Sequence, residues 1–146
     1  MKKKGYNDVH ALYIVTVKET RNIEILDDKS VDKVVKFIKR AIQRGQLEFL
    51  CCCFGDQEEY SLTIHANETY ACVLIINELE RKAYDYCNKK YENDMTEVIL
   101  FGYDFCKACL CEDKDILFDI IMHFFETGKI NEKYEWYETE YEKGLS

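Results

Sequence analysis

The chain has 146 residues and no proline, and its 28 acidic side chains outnumber 20 basic ones for a formal net charge of −8. That balance argues against nucleic-acid binding, which rests on Lys and Arg neutralising phosphates; it favours a positively charged partner, or serves solubility alone. No stretch of about 20 apolar residues is present to span a membrane, and Lys2-Lys3-Lys4 is followed by polar Gly5-Tyr6-Asn7-Asp8 where a signal peptide needs an apolar core. The expectation is a cytoplasmic protein with one domain over residues 1–146, no metal or disulfide needed to fold it, and reduced cysteines.

Val9 to Val17 alternates as a strand, with Val9, Ala11, Tyr13, Val15 and Val17 on one face. Glu19-Thr20-Arg21-Asn22 reads as a turn and Ile23 to Leu26 as a short return strand. The period then changes. Val31, Val34, Val35, Ile38, Ala41 and Ile42 form one helical stripe, with Ser30 as N-cap, Asp32 in the first turn and Gly45 as a left-handed stop. Strands are expected at about 47–54, 59–66 and 70–77, joined through Gly55-Asp56-Gln57-Glu58 and Asn67-Glu68. A weaker strand at 81–87 competes with a helical reading of Leu79 to Tyr86. Asn88 to Met95 is a polar loop, and strands at 96–101 and 104–110 form a hairpin around Gly102-Tyr103.

A second helix runs from near Asp113 to Thr127. Ile116, Leu117, Ile120, Ile121, Phe124 and Phe125 cover about half its circumference, leaving Asp115, Asp119, His123 and Glu126 as a polar strip. So apolar a helix is expected to lie buried across the middle of a sheet. Gly128 closes it, and a strand at about 132–138 returns Tyr134 and Trp136 to the core. Consecutive strands with few helices give an α+β fold: an antiparallel or mixed sheet of about six to eight strands with two main helices packed on one face.

Cys51-Cys52-Cys53 and the run Cys106-Lys107-Ala108-Cys109-Leu110-Cys111 are the obvious places to seek chemistry. The second contains the spacing of zinc and redox sites. Read as a strand, however, it sends Cys106 and Cys109 to opposite faces about 10 Å apart, at ~3.3 Å per residue. The cysteines then read as small buried hydrophobes. A zinc or thiol site built from Cys106, Cys109, Cys111 and one of Cys51–Cys53 stays open as an alternative, as does a small ligand-binding or scaffold domain. His10, His65 and His123 lie in different elements; Asp119 and His123 form either a dyad or an ordinary surface pair four residues apart. With six glycines, no phosphate loop or nucleophile elbow is present. The expectation is no catalytic residue, no cofactor and no metal.

Acidic residues gather beside tyrosines in three places: Asp56, Glu58 and Glu59 with Tyr60; Glu92 and Asp94 with Tyr91; and Glu138, Glu140 and Glu142 with Tyr137 and Tyr141. Each is a solvated face or a partner-binding surface in which aromatics anchor and charges steer.

The stretch His123 to Glu138, "HFFETGKINEKYEWYE", carries a resemblance. Phe125-Glu126-Thr127-Gly128, then Trp136 eight residues after the glycine, then Glu138, resembles the C-terminal signature of the Imm1 family of bacterial immunity proteins. The strand–glycine–strand pattern from Val98 to Leu110 and the strand-rich middle agree with it; the proline common after the Thr-Gly is replaced by Lys129-Ile130-Asn131. The resemblance implies a single immunity-type domain without enzymatic activity. Its partner would be a cognate toxin domain, basic and encoded by an adjacent gene. Such toxins include nucleic-acid-directed ones, deaminases among them, and the protein would cover the toxin's active site or substrate groove.

Overall fold

The computed structural model describes residues 9–24 and 28–142. The basic run at 2–4 and the end of the expected return strand, at 25–26, lie outside them. β1 (Val9–Thr16) and β2 (Thr20–Ile23) form an antiparallel hairpin, and α1 (Asp28–Gln43) leads from it to β3 (Leu47–Phe54). β4 (Tyr60–Ala66), β5 (Ala71–Asn77) and β6 (Lys82–Tyr86) continue from β3 as an antiparallel meander. Among the described residues, β7 (Glu97–Leu100) and β8 (Tyr103–Cys106) pair only with each other. β9 (Leu110–Cys111) adds to the first residues of β5, α2 (Lys114–Thr127) follows, and β10 (Trp136–Glu140) returns beside β6. The large sheet runs β10-β6-β5-β4-β3-β1-β2 with β9 alongside β5, making eight antiparallel strands beside a two-stranded one. This is the α+β class expected.

Both helices pack on one face of the large sheet. Val34, Ile38, Ala41 and Ile42 of α1 and Leu117, Ile120, Ile121, Phe124 and Phe125 of α2 join Leu50, Cys52, Leu62, Ile64, Val73 and Ile75 in one core. Ile120, Ile121, Phe124 and Phe125 are 0% exposed. Burying each such side chain stabilises the fold by roughly 1.5–3 kcal/mol. The start of α2 is capped as its sequence requires: Asp113 accepts the backbone N–H groups of Asp115 at 2.9 Å and Ile116 at 3.1 Å.

Several local expectations are corrected. The β1 faces are split by a bulge: Ala11 has φ +52° and the register with β3 shifts between His10 and Tyr13. Val9, Leu12 and Ile14 therefore enter the core while Tyr13 faces the other way. β2 begins at Thr20, inside the expected turn. α1 begins at Asp28, so Ser30 lies within the helix instead of capping it. The strand expected at 81–87 forms as Lys82–Tyr86, and the competing helical reading of Leu79 to Tyr86 falls away. The β7–β8 turn is Phe101-Gly102, whose φ values of +51° and +84° are the left-handed pair a two-residue hairpin demands. β10 starts at Trp136 because the segment before it is tied to α2: Tyr134 O–H donates to Asp119 Oδ2 at 2.6 Å, Asn131 Nδ2–H to the same oxygen at 3.3 Å, and Trp136 Nε1–H to the Asn131 carbonyl at 3.0 Å. Asp119 is thus a structural acceptor for the returning chain, and Tyr134 and Trp136 pack against the core as expected.

That return depends on Gly128. Its φ is +73°, its N–H reaches the Phe124 carbonyl at 2.8 Å, and a Cβ there would run into the Phe54 ring. Gly128→Ala is expected to lower stability by about 2 kcal/mol or more, from left-handed strain of roughly 1–2 kcal/mol and overpacking of roughly 1–3 kcal/mol. A urea titration checks this through a lowered midpoint at unchanged slope; an unmoved midpoint contradicts it.

Candidate functional site

The sheet has a second face, which neither α1 nor α2 covers. Because strands alternate, its residues follow from the register. One row crosses the sheet as Tyr137, Asp85, Leu74, Thr63, Cys51 and Tyr13. The row beside it is Thr139, Ala83, Ile76, Ser61, Cys53 and His10. The β7–β8 hairpin covers one end of this face. Phe101 stacks on Phe49 at 5.2 Å between ring centroids, and Tyr103 and Phe105 lie 5.1 Å and 4.9 Å from His65. Burial lowers the His65 pKa, which keeps the ring neutral at physiological pH within this aromatic cluster. The hairpin still leaves Ile99, Phe101 and Tyr103 exposed at 67%, 42% and 60%, and Tyr137 at the far edge is 37% exposed. Exposed aromatics beside polar groups are the composition of an interaction site.

Asp85 lies between Leu74 and Tyr137 on this face. It is half-buried, and desolvation alone pushes its pKa up. Among the described residues, no cation and no hydrogen-bond donor reaches the carboxylate. A charge held half out of water without a partner costs stability, so its setting is one that an incoming cation would relieve. This residue escaped the sequence reading. Its only signal was its place in the alternation Lys82-Ala83-Tyr84-Asp85-Tyr86, legible once that segment is known to be a strand.

Two of the three acidic–tyrosine clusters meet at one end of the sheet. Phe54, Tyr60, Asn77, Lys82 and Glu140 form a single row across β3, β4, β5, β6 and β10. The β5–β6 turn joins them there, its Glu78 N–H donating to the Glu59 carbonyl at 2.9 Å, and Tyr141 N–H donates to the Arg81 carbonyl at 3.0 Å. Asp56, Glu58, Glu59, Glu78, Glu80 and Glu140 thus gather with Arg81 and Lys82 at this end, Lys129 and Lys133 line the groove beside Glu80, and Glu142 follows β10. Lys82 is drawn to Glu138 at 3.7 Å, which with neighbouring carboxylates raises the lysine pKa. Glu58 and Glu78 also act on the Cys53 thiol, whose pKa rises mainly by burial, so both carboxylates border the uncovered face. Glu59 and Tyr60 have local work as well: Glu59 Oε2 accepts the Gln57 N–H at 2.9 Å, and Tyr60 packs on Phe54 at 6.1 Å.

The third cluster sits at the opposite end and is tied up internally. Tyr91 O–H donates to Glu112 at 2.9 Å, and its ring lies 5.2 Å from the Lys90 ammonium and 4.8 Å from that of Lys107. Glu92 pairs with Lys89 at 3.7 Å. Asp94 accepts the Thr96 N–H at 2.9 Å, and hydrogen bonding to Thr96 lowers its pKa.

All eight cysteines are free thiols. The expectation that Cys106 and Cys109 occupy one strand is overturned: β8 ends at Cys106, and Lys107–Cys109 form a single 3-10 turn. The cause is tertiary, since Leu110 and Cys111 leave the hairpin to pair with Ala71 and Cys72. The four-cysteine donor set is not assembled either. Cys111 belongs to the helix-side core and its thiol donates to the Asp113 carbonyl at 3.3 Å, while Cys51–Cys53 lie on β3. Among the described residues, no group of three or more His, Cys, Asp or Glu is placed to hold a metal ion. On the helix side, a groove of about 640 Å³ between the end of α2 and β5–β6 is lined by Asn77, Glu80, Tyr84, His123 and Lys129 among others. Among the described residues no fully buried side-chain nitrogen or oxygen lacks a partner, so none is left aimed into it. Among the same residues, no helix is long and apolar enough to cross a membrane.

A comparison with protein-family models finds no match, and a comparison with curated proteins finds none either.

Asp85→Asn is expected to raise stability at pH 7 by about 0.5–2 kcal/mol, the range for relieving an unfavourable surface charge. The folded-state pKa lies above the unfolded one, so the penalty is present above the folded value and fades as pH falls toward the ordinary carboxylate value. Thermal melts at pH 7 and pH 3 check it: the variant's advantage should shrink in acid, and a variant less stable than the parent at pH 7 contradicts it.

Proposed function

We propose that this protein is an immunity protein of bacterial polymorphic-toxin systems, acting in the cytoplasm without chemistry of its own. It binds a cognate toxin domain, encoded by an adjacent gene, and covers that domain's active site or substrate groove. The observation that carries the reading is the uncovered sheet face, where Asp85 is desolvated without a cation, beside exposed aromatics and a carboxylate-rich end. A groove that holds nucleic acid must present Lys and Arg. A partner surface of that kind would supply the cation Asp85 lacks and complement the acidic end around Glu58 and Glu78. The resemblance of Phe125-Glu126-Thr127-Gly128, Trp136 and Glu138 to the Imm1 signature supports the same class.

On this reading the clusters divide the work. Asp85, Tyr103 and Tyr137 are the central anchors, where desolvated pairs and aromatic side chains carry most of the binding energy. Asp56, Glu58, Glu59, Glu140 and Glu142 steer the encounter from the rim. Glu92 and Asp94, already engaged at the other end, contribute least.

Co-purification with the C-terminal domain of the neighbouring gene product, followed by growth rescue, tests the function. Asp85→Asn is expected to weaken that complex tenfold or more, mainly through faster dissociation, even though the free protein becomes more stable. Reversing Glu58 and Glu59 should slow association at low salt, and reversing Glu92 and Asp94 should change little. Binding insensitive to the first two changes contradicts the assigned surface; a neighbouring domain that ignores the protein contradicts the function.

A further inference from the structure

We propose that Cys106 and Cys109 are a redox-active dithiol that a small aliphatic disulfide converts into an intramolecular disulfide. The inference does not rest on the docking reading. Its basis is the 3-10 turn that replaces the expected strand: Cys106 stands at the N-terminal boundary of the turn and Cys109 ends it. Positions three apart in such a turn eclipse, with Cα atoms about 6 Å apart at ~2.0 Å rise per residue. That lies within the range of roughly 4.4–6.8 Å that a disulfide bridges.

The turn is held before any bond forms. Lys107 N–H donates to the Thr96 carbonyl at 2.9 Å, Asn88 N–H donates to the Ala108 carbonyl at 2.8 Å, and Ala108 is 6% exposed. Closure therefore orders little that is not already ordered. Access singles out the same pair. Cys52, Cys72, Cys87 and Cys111 are buried, whereas Cys106 and Cys109 are half-buried. The other half-buried thiols, Cys51 and Cys53, are two apart on one extended strand. Their Cα atoms are thereby held about 6.6 Å apart at ~3.3 Å per residue, and their parallel Cβ vectors do not converge on one bond.

The exchange balances. The Cys106 thiolate attacks one sulfur of the small disulfide, forming a mixed disulfide and expelling one thiolate. The Cys109 thiolate then attacks the Cys106 sulfur, forming the Cys106–Cys109 bond and expelling the second. The two expelled thiolates take up the two protons given up by the cysteines, and two electrons pass from the cysteine pair to the reagent. Cys106 is the entry point because burial and the nearby Asp85 carboxylate push the Cys109 thiol up to about 11. Cys109 acts only afterwards, as the tethered second nucleophile.

The test incubates the full chain with glutathione disulfide, quenches in acid, blocks free thiols with N-ethylmaleimide and digests with trypsin, which cuts after Lys107. Closure joins peptides 91–107 and 108–114, of which the first contains Cys106 alone and the second both Cys109 and Cys111. The joined pair should appear in the parent, persist in Cys111→Ser, and vanish in Cys106→Ser and Cys109→Ser. Thermal midpoints of these variants in reductant should match the parent, and Cys109→Ala repeats the measurement should the serine variant melt early. Joined peptides that survive Cys109→Ser, or Cys106 stopped at the mixed disulfide in the parent, would overturn the proposal.

Discussion

The interaction on which the rest of the structure depends is the seating of α2 on one face of the sheet. Ile120, Ile121, Phe124 and Phe125 are wholly buried there, and Phe124 meets Phe54 at 6.0 Å between ring centroids. Two short helices have only enough apolar surface to cover one face, so a sheet of eight strands keeps a second. The chain partly covers that second face with its β7–β8 hairpin. What remains open is a consequence of how the core is divided, and it is the surface with something left to satisfy. The same seating fixes the ending of the chain. Gly128 turns it against Phe54, Asp119 receives Tyr134 and Asn131, and β10 is thereby delivered to the β6 edge with Tyr137 on the open face.

Asp85 sets stability against the proposed docking. A sheet face read only for stability would carry a neutral residue beside Leu74 and Tyr137, since a desolvated carboxylate without a cation is costly. Local conflicts of this kind concentrate at functional sites, where the binding event resolves them. The acidic end differs in kind. Its carboxylates stay in water, where exposed pairs such as Lys82–Glu138 add little to stability. Under the proposed docking, their collective field would act over distance instead, on the rate of encounter.

Much of the framework was legible in the sequence, because periodicity reports burial directly. The stripes of α1 and α2, the three strands of the central meander, and Gly45 and Gly128 all lie where the pattern of apolar residues and left-handed stops places them. What stayed hidden was decided by contacts distant in sequence. Nothing local marks the bulge at Ala11, which re-aims Leu12 and Tyr13. The 3-10 turn at Cys106–Cys109 exists because β9 is claimed by β5 some forty residues earlier, a pairing that no local pattern encodes. The acidic–tyrosine clusters were visible as composition; that two of them share one end while Tyr91, Glu92 and Asp94 are bound up at the other follows only from strand order.

Hydroxyl-radical footprinting of the protein, free and mixed with the C-terminal domain of the neighbouring gene product, shows which face a partner covers. Docking on the open face should cost Phe101, Tyr103 and Tyr137 their reactivity in the complex, while Phe37 and Phe118 on the helix side keep theirs. Shielding confined to Phe37 and Phe118, with the open-face aromatics as reactive as in the free protein, would contradict it.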